Sequence, residues 1–213
     1  MPLPLDGLVD RFLCGLDNAL ATLSGGPVAR QLDPAAGIPE ATLNKAERDA
    51  SAGLMRVNHT GEICAQGLYL GQAAFTREPA IRTHLMSAAR EEADHLAWCE
   101  ARLRALDARP SLLNPLWYTG SYILGALSAL AGEALSLGFV SETERQVEAH
   151  LGEHLRKLPA TDAASRAVVA RMREDEARHG AEARAAGAQE LPWPWPDLMH
   201  ASAEVMKAVA YRI

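Results

Sequence analysis

The pattern Glu-x-x-His occurs twice in this chain, at Glu92/His95 and at Glu176/His179, 84 positions apart. Residues three apart on a helix share a face, so each pair aims a carboxylate and an imidazole at one point. A further glutamate precedes each pair at a similar distance. Glu62 lies 30 positions before Glu92, and Glu144 lies 32 before Glu176. The chain therefore reads as two halves with one plan. If the four segments stand side by side as helices, four Glu and two His meet in one core.

The neighbouring residues separate this arrangement from a pair of solvated, charged helix faces. Glu144 shares its face with Leu137, Val140, Val147 and Leu151, and Glu92 with Leu85, Ala88, Ala89, Leu96 and Cys99. Glu176 follows Val169 and Met172 and precedes Ala183. Glu91, Glu142, Glu148 and Glu174 keep more polar company. A carboxylate on an apolar face is costly unless something pairs with it, and several together repel. Two divalent cations remove both costs, because four Glu charges balance them. Carboxylate with imidazole suits iron, manganese or zinc, and the layout is that of dinuclear carboxylate bundles. The expected metal ligands are Glu62, Glu92, His95, Glu144, Glu176 and His179. His59 and His150 lie within one or two turns of these and are candidates for supporting them.

The rest of the chain reads as helix. Expected helices run from about 42 to 77, from Pro79 to about 107, from beyond Pro115 to about 157, and from a cap at Thr161 or Asp162 to near Gly187. Proline at a first turn and polar caps mark the starts. Leu-Pro-Trp-Pro-Trp-Pro, 191–196, reads as a rigid linker before a last helix over about 197–212. Residues 1–24 read as an arm helix with one apolar face, and 25–41 as a linker. No stretch alternates β-branched residues with period two. The expected fold is all-α: a bundle of four long helices over 42–213, with an additional helix at each end.

Composition narrows the function. With 213 residues, 48% of them apolar, the chain can bury one proper core. A formal net charge of −6 argues against nucleic acid as a partner. Three cysteines without a Cys-x-x-Cys pair fit a reduced, cytosol-facing location. Met1 to Leu23 lacks a basic start and is interrupted by Asp6, Asp10, Arg11 and Asp17, unlike a signal peptide.

Four segments carry a resemblance: Leu54-Met-Arg-Val-Asn-His-Thr-Gly-Glu62, Glu-Glu-Ala-Asp-His95, Gly-Phe-Val-Ser-Glu-Thr-Glu-Arg145 and Glu-Asp-Glu-Ala-Arg-His179. Together they closely resemble the demethoxyubiquinone hydroxylase family, in a bacterial form, from about residue 40 onward. The resemblance implies a ferritin-like bundle with two iron ions, Fe2+ in the reduced resting state, and O2 as co-substrate. It implies Glu62 and His95 on one iron, Glu144 and His179 on the other, and Glu92 and Glu176 bridging. The implied reaction hydroxylates the ring of a polyprenylated methoxy-methyl-benzoquinol in ubiquinone biosynthesis. Electrons would come from NADH or a reductase, and other quinone-biosynthesis proteins are possible partners. No Gly-x-Gly-x-x-Gly is present, so NADH contact would be a surface encounter. His150 and Tyr69 are candidates for touching the quinone ring. A ferritin-like iron storage or oxidation protein is the alternative on the same bundle.

One stretch, Pro110 to Gly132, has 23 residues without a charge. Its length would suit a membrane span, but Glu144 follows Gly132 by twelve positions, roughly 18 Å along a helix. A spanning helix could hardly deliver Glu144 to a bundle core. Two readings remain: a buried core helix, or an apolar lip in one leaflet with Trp117, Tyr118 and Tyr122 at headgroup level. A polyprenyl substrate favours the lip, and the resemblance implies peripheral attachment at the cytoplasmic face of the bacterial cell membrane.

Overall fold

The computed structural model describes residues 15, 17–24 and 29–213. Most of the expected arm, 1–14 and 16, and residues 25–28 of the expected linker lie outside these. Among the described residues every regular element is helical. Residues 17–23 are helical, and Ala19 and Leu23 pack against Ile63, Leu96 and Tyr118. Six helices follow: α1 Lys45–Phe75, α2 Pro79–Ala105, α3 Asn114–Ala131, α4 Glu133–Lys157, α5 Ala163–Ala185 and α6 Trp195–Ala210.

Local chemistry sets the ends. Asn44 accepts the Glu47 N–H at 3.0 Å while Glu47 accepts the Asn44 N–H at 2.9 Å, a reciprocal cap that starts α1. Pro79 opens α2, where a missing N–H costs nothing. Asp162 Oδ1 accepts the Ser165 N–H at 3.1 Å and starts α5. Helices α1, α2, α4 and α5 form the bundle. Its apolar residues gather at two levels. Met55, Trp98, Leu103, Leu151 and Met172 belong to one cluster; Tyr69, Leu85, Val140 and Ala183 belong to the other. The six polar candidates fall between them.

The expected third helix, running unbroken to about 157, is in fact two. Gly132 adopts φ 135 and ψ 151, a conformation open in practice only to glycine, and there the chain reverses. Glu133 fastens the turn: its carboxylate accepts the Thr76 hydroxyl at 2.7 Å and the Arg77 N–H at 2.8 Å. Helix α3 thus runs parallel to α1, and α4 returns antiparallel to it. Gln72 reaches the Ser136 carbonyl at one end of α4, and Asn58 reaches His154 near the other.

Helix α3 meets α1 backbone to backbone. A Cβ on Gly67 would lie 2.6 Å from the Tyr118 carbonyl oxygen. On Gly71 it would lie 2.2 Å from that of Tyr122, and on Gly125 2.2 Å from that of Leu68. Because glycines and small residues make the contact, the large apolar side chains of α3 turn outward. Leu116, Ile123, Leu124, Leu127 and Leu130 are all at least half exposed. The buried-helix reading of 110–132 is therefore not met. Tyr118 also departs from expectation, since its ring is buried against Ile63 and Leu96 rather than set at an outer rim. At the start of α6, Trp195 and Leu198 are exposed, as is Trp193 just before it.

Candidate metal centre

Helix α1 supplies Glu62, α2 Glu92 and His95, α4 Glu144, and α5 Glu176 and His179; all six are 2% exposed or less. The helical spacing puts each glutamate beside its histidine. His95 Nδ1 lies 3.0 Å from Glu92 Oε2, 3.3 Å from Glu176 Oε1 and 3.9 Å from Glu62 Oε2. His179 Nδ1 lies 3.1 Å from Glu92 Oε1 and 3.7 Å from Glu176 Oε2. Glu92 and Glu176 thus each offer one oxygen to either histidine. Two ligand sets result, Glu62/Glu92/His95/Glu176 and Glu92/Glu144/Glu176/His179, with the ligand atoms of each within 4.8 Å of one another.

The electrostatics call for added positive charge. Burial, and then the neighbouring Glu92 carboxylate, push Glu62 well above the usual carboxylate range. Burial and then Glu176 do the same to Glu144. Burial opposes charge on the histidines, but the surrounding carboxylates outweigh it. His95 is held well above its ordinary value and His179 is raised to about 12. Burial would raise Glu92 too, but His95 and His179 hold it low. Glu144 Oε1 is buried without a hydrogen bond, and Glu92 Oε1, Glu176 Oε1 and His179 Nδ1 have only ion-pair contacts within the cluster, without hydrogen-bond geometry. Such atoms are costly alone and are the atoms a cation would take. Four carboxylates, two imidazoles and these orphaned atoms fit a pair of divalent metal ions, iron among them.

The outward nitrogens of both histidines are also held. His95 Nε2 lies 3.2 Å from Asp175 Oδ2, and His179 Nε2 lies 3.3 Å from Glu91 Oε2. Sequence reasoning missed both acids. The available signal was an acid directly before the glutamate of each Glu-x-x-His.

The remaining candidates separate. A cavity of about 540 Å³ opens among α1, α3, α4 and α6, lined by Gly61, Leu68, Trp117, Thr143, His150 and Met206 among others. Gly61 and Thr143 immediately precede Glu62 and Glu144, so the cavity runs alongside the cluster. His150 also bonds the Gln146 carbonyl; burial, then Lys207, lowers it to about 4, so it is a neutral acceptor near pH 7. Tyr69 is not on this cavity but in the core beside Leu85 and Val140. His59 is buried and accepts from Asn114 Nδ2 at 3.3 Å, off the cavity wall. A second hollow of about 1000 Å³, lined by Arg56, Arg104, Arg109 and Arg212, contains none of the six.

Residues 49–210 match the family described as ubiquinone biosynthesis protein COQ7. The chain is similar to the 3-demethoxyubiquinol 3-hydroxylase of Xanthomonas campestris pv. campestris (strain 8004), 56% identical over 99% of this chain and 97% of that protein. The enzyme of the same name from Xanthomonas oryzae pv. oryzae (strain PXO99A) is 55% identical over 100% of this chain and 98% of its own length. That of Paracidovorax citrulli (strain AAC00-1) is 56% identical over 96% and 100%.

Proposed function

The chain belongs to the COQ7 family of ubiquinone-biosynthesis proteins, and from that footing we propose that it is an O2-dependent 3-demethoxyubiquinol 3-hydroxylase working at two iron ions. The observation that carries the reading is the pair of overlapping ligand sets beside an apolar cavity. Two bound iron ions would supply the activation of O2 that puts one oxygen atom on the quinol ring. The other oxygen leaves as water, with two electrons from NADH or a reductase and two protons.

The chain's own residues do the rest. Glu62, Glu92, His95, Glu144, Glu176 and His179 would hold the two ions. The Gly61–Thr143 wall brings a ring alongside them. His150, neutral and already bonded to Gln146, keeps one nitrogen free to accept from a quinol hydroxyl, a donor that a quinone lacks. Leu68, Trp117 and Met206 exclude water around the ring.

The tail needs a different solution. No helix among the described residues is long and apolar enough to cross a membrane. Each isoprenoid CH₂ gains about 0.8 kcal/mol by staying in lipid, so lifting a whole tail into the protein is unfavourable. The outward leucines of α3, with Trp193, Trp195 and Leu198, are exposed, and Leu124 of α3 and Met199 of α6 line the cavity itself, so these side chains offer its surroundings an apolar band. That band rests in the cytoplasmic leaflet of the cell membrane, where the ring enters and the tail remains.

The test is product analysis by mass spectrometry with demethoxyubiquinol in phospholipid vesicles, Fe2+, a reductant and ¹⁸O2. Wild type incorporates one labelled oxygen, and Glu144→Ala forms none. Ile123→Asp with Leu127→Asp lowers turnover in vesicles but not with a short-tailed, water-soluble quinol. Labelled product from Glu144→Ala, or no product from wild type, ends this reading.

A further inference from the structure

The two histidines are gripped from behind by each other's helices. Asp175 stands on α5, yet its Oδ2 takes the N–H of His95 on α2. Glu91 stands on α2, yet its Oε2 takes the N–H of His179 on α5. The positions correspond across the 84-residue repeat: 91 with 175, 92 with 176, 95 with 179. One cation serves both acids. Arg178 donates to Glu91 Oε2 at 2.6 Å and to Asp175 Oδ1 at 2.9 Å. Arg171 adds a second contact to that Asp175 oxygen at 3.0 Å. The symmetry stops there. Asp94, the α2 counterpart of Arg178, instead accepts the Arg30 backbone N–H at 2.6 Å.

We propose that Glu91, Asp175 and Arg178 form a crossed brace between α2 and α5, in which each acid positions the metal-binding histidine of the opposite helix. The inference rests on the dinuclear reading above. A carboxylate can only accept, so both Nε2 atoms carry a proton; when metal binds, Nδ1 is the nitrogen that gives up its proton and turns a lone pair to the ion. Neither ring can flip without losing that bond in a site closed to water. Because the grip crosses the seam, it also fixes the register of the two Glu-x-x-His helices. Glu91, Asp175 and Arg178 are positioning residues and touch no reacting atom.

Crossing gives the brace a signature that an ordinary local effect lacks. The full-length chain, labelled with ¹⁵N-histidine, is loaded with Zn2+ and read by imidazole ¹H–¹⁵N spectra. Zinc affinity is measured by chelator competition. His95 is assigned through contacts to the Trp98 ring, 5.3 Å from its own between centroids. Wild type binds two zinc ions, with Nε2–H retained on both rings. Glu91→Gln releases the His179 signal, leaves that of His95 in place, and weakens one zinc by about 10–100-fold. Asp175→Asn does the reverse. Arg178→Gln loosens both signals together, and its exposed side chain keeps the test available if Asp175→Asn fails to fold. Release of the histidine on the mutated helix itself, or unchanged affinities in both acid variants, overturns the brace. A wild type that binds no zinc pair removes the dinuclear reading and the brace with it.

Discussion

Replacing Glu144 by glutamine should stabilise the metal-free protein and lose or reverse that advantage when metal is bound. Glu144 is 1% exposed, its Oε1 has no hydrogen bond, and the Glu176 carboxylate adds to the burial that disfavours its charge. In the metal-free chain this carboxylate is a liability. It must either hold a proton that the unfolded chain would release or carry an uncompensated charge in an apolar shell. Glutamine has nearly the same shape and no charge to desolvate. An unsatisfied buried group costs about 1–3 kcal/mol, so Glu144→Gln should stabilise the metal-free protein by about that much. At this chain length that raises Tm by about 2–4 °C per kcal/mol. With metal bound the account reverses, because one of four balancing charges is gone. A 100-fold loss of affinity at saturating metal removes about 2.7 kcal/mol of binding-linked stability, which cancels or reverses the gain of the metal-free protein. Thermal melts of wild type and variant, first with chelator and then with Mn2+, give the two differences directly. No gain in chelator would mean that the Glu144 carboxylate is not strained by burial, and an equal gain in Mn2+ that it is not relieved by a cation; either result defeats the argument for the centre.

Two further outcomes test the scaffold. In Gly71→Ala the added methyl would lie 2.2 Å from the Tyr122 carbonyl oxygen, which outweighs the better helix propensity of alanine; urea unfolding should show a loss of about 1–3 kcal/mol, and unchanged stability would contradict the backbone contact between α1 and α3. Burial lowers His59 and His150 to about 4 and His154 to about 3. Between their ordinary value and these values the unfolded chain binds protons that the folded chain refuses. These three rings should therefore cost the metal-free protein up to about 1.4 kcal/mol per pH unit each as pH falls from about 6.5 toward 4, while Glu62 and Glu144, whose values the fold raises, take up protons and offset part of that loss. Imidazole ¹⁵N spectra of the metal-free protein should keep these three rings neutral at pH 5, and protonated rings there would show that they are not held neutral.

Most element ends were legible because they depend on adjacent residues. Pro79, and Asp162 with Ser165, are decided within one turn of chain; so is Asn44 with Glu47, which the expected start near 42 passed over. The reversal at Gly132 was not legible. Helical periodicity continues across it, and one glycine among the many small residues of 110–132 does not announce a turn. What fixes the turn is Glu133 reaching Thr76 and Arg77, 57 and 56 positions earlier. The exposure of α3 was hidden for the same reason. An uncharged helix that docks through its glycines and one that docks through its leucines have similar compositions. Only the close approach of Gly67, Gly71 and Gly125 to facing carbonyls tells them apart.

The centre divides along the same line. The gathering of its six polar candidates could be read because each is a polar residue on an apolar helical face, a property of one helix, and the repeat supplied the pairing. Glu91 and Asp175 could not be read that way. On its own helix Glu91 looks solvated, and it is 27% exposed at the side chain. Its partner lies on α5, 88 positions away. Their role exists only in the register between α2 and α5, which neither segment specifies alone. Yet the repeat contained a trace of it, since both halves carry acid-Glu-x-x-His and not merely Glu-x-x-His. An acid kept at the same offset in two helices that face each other is accounted for by a crossed grip. A solvated face would require no such agreement.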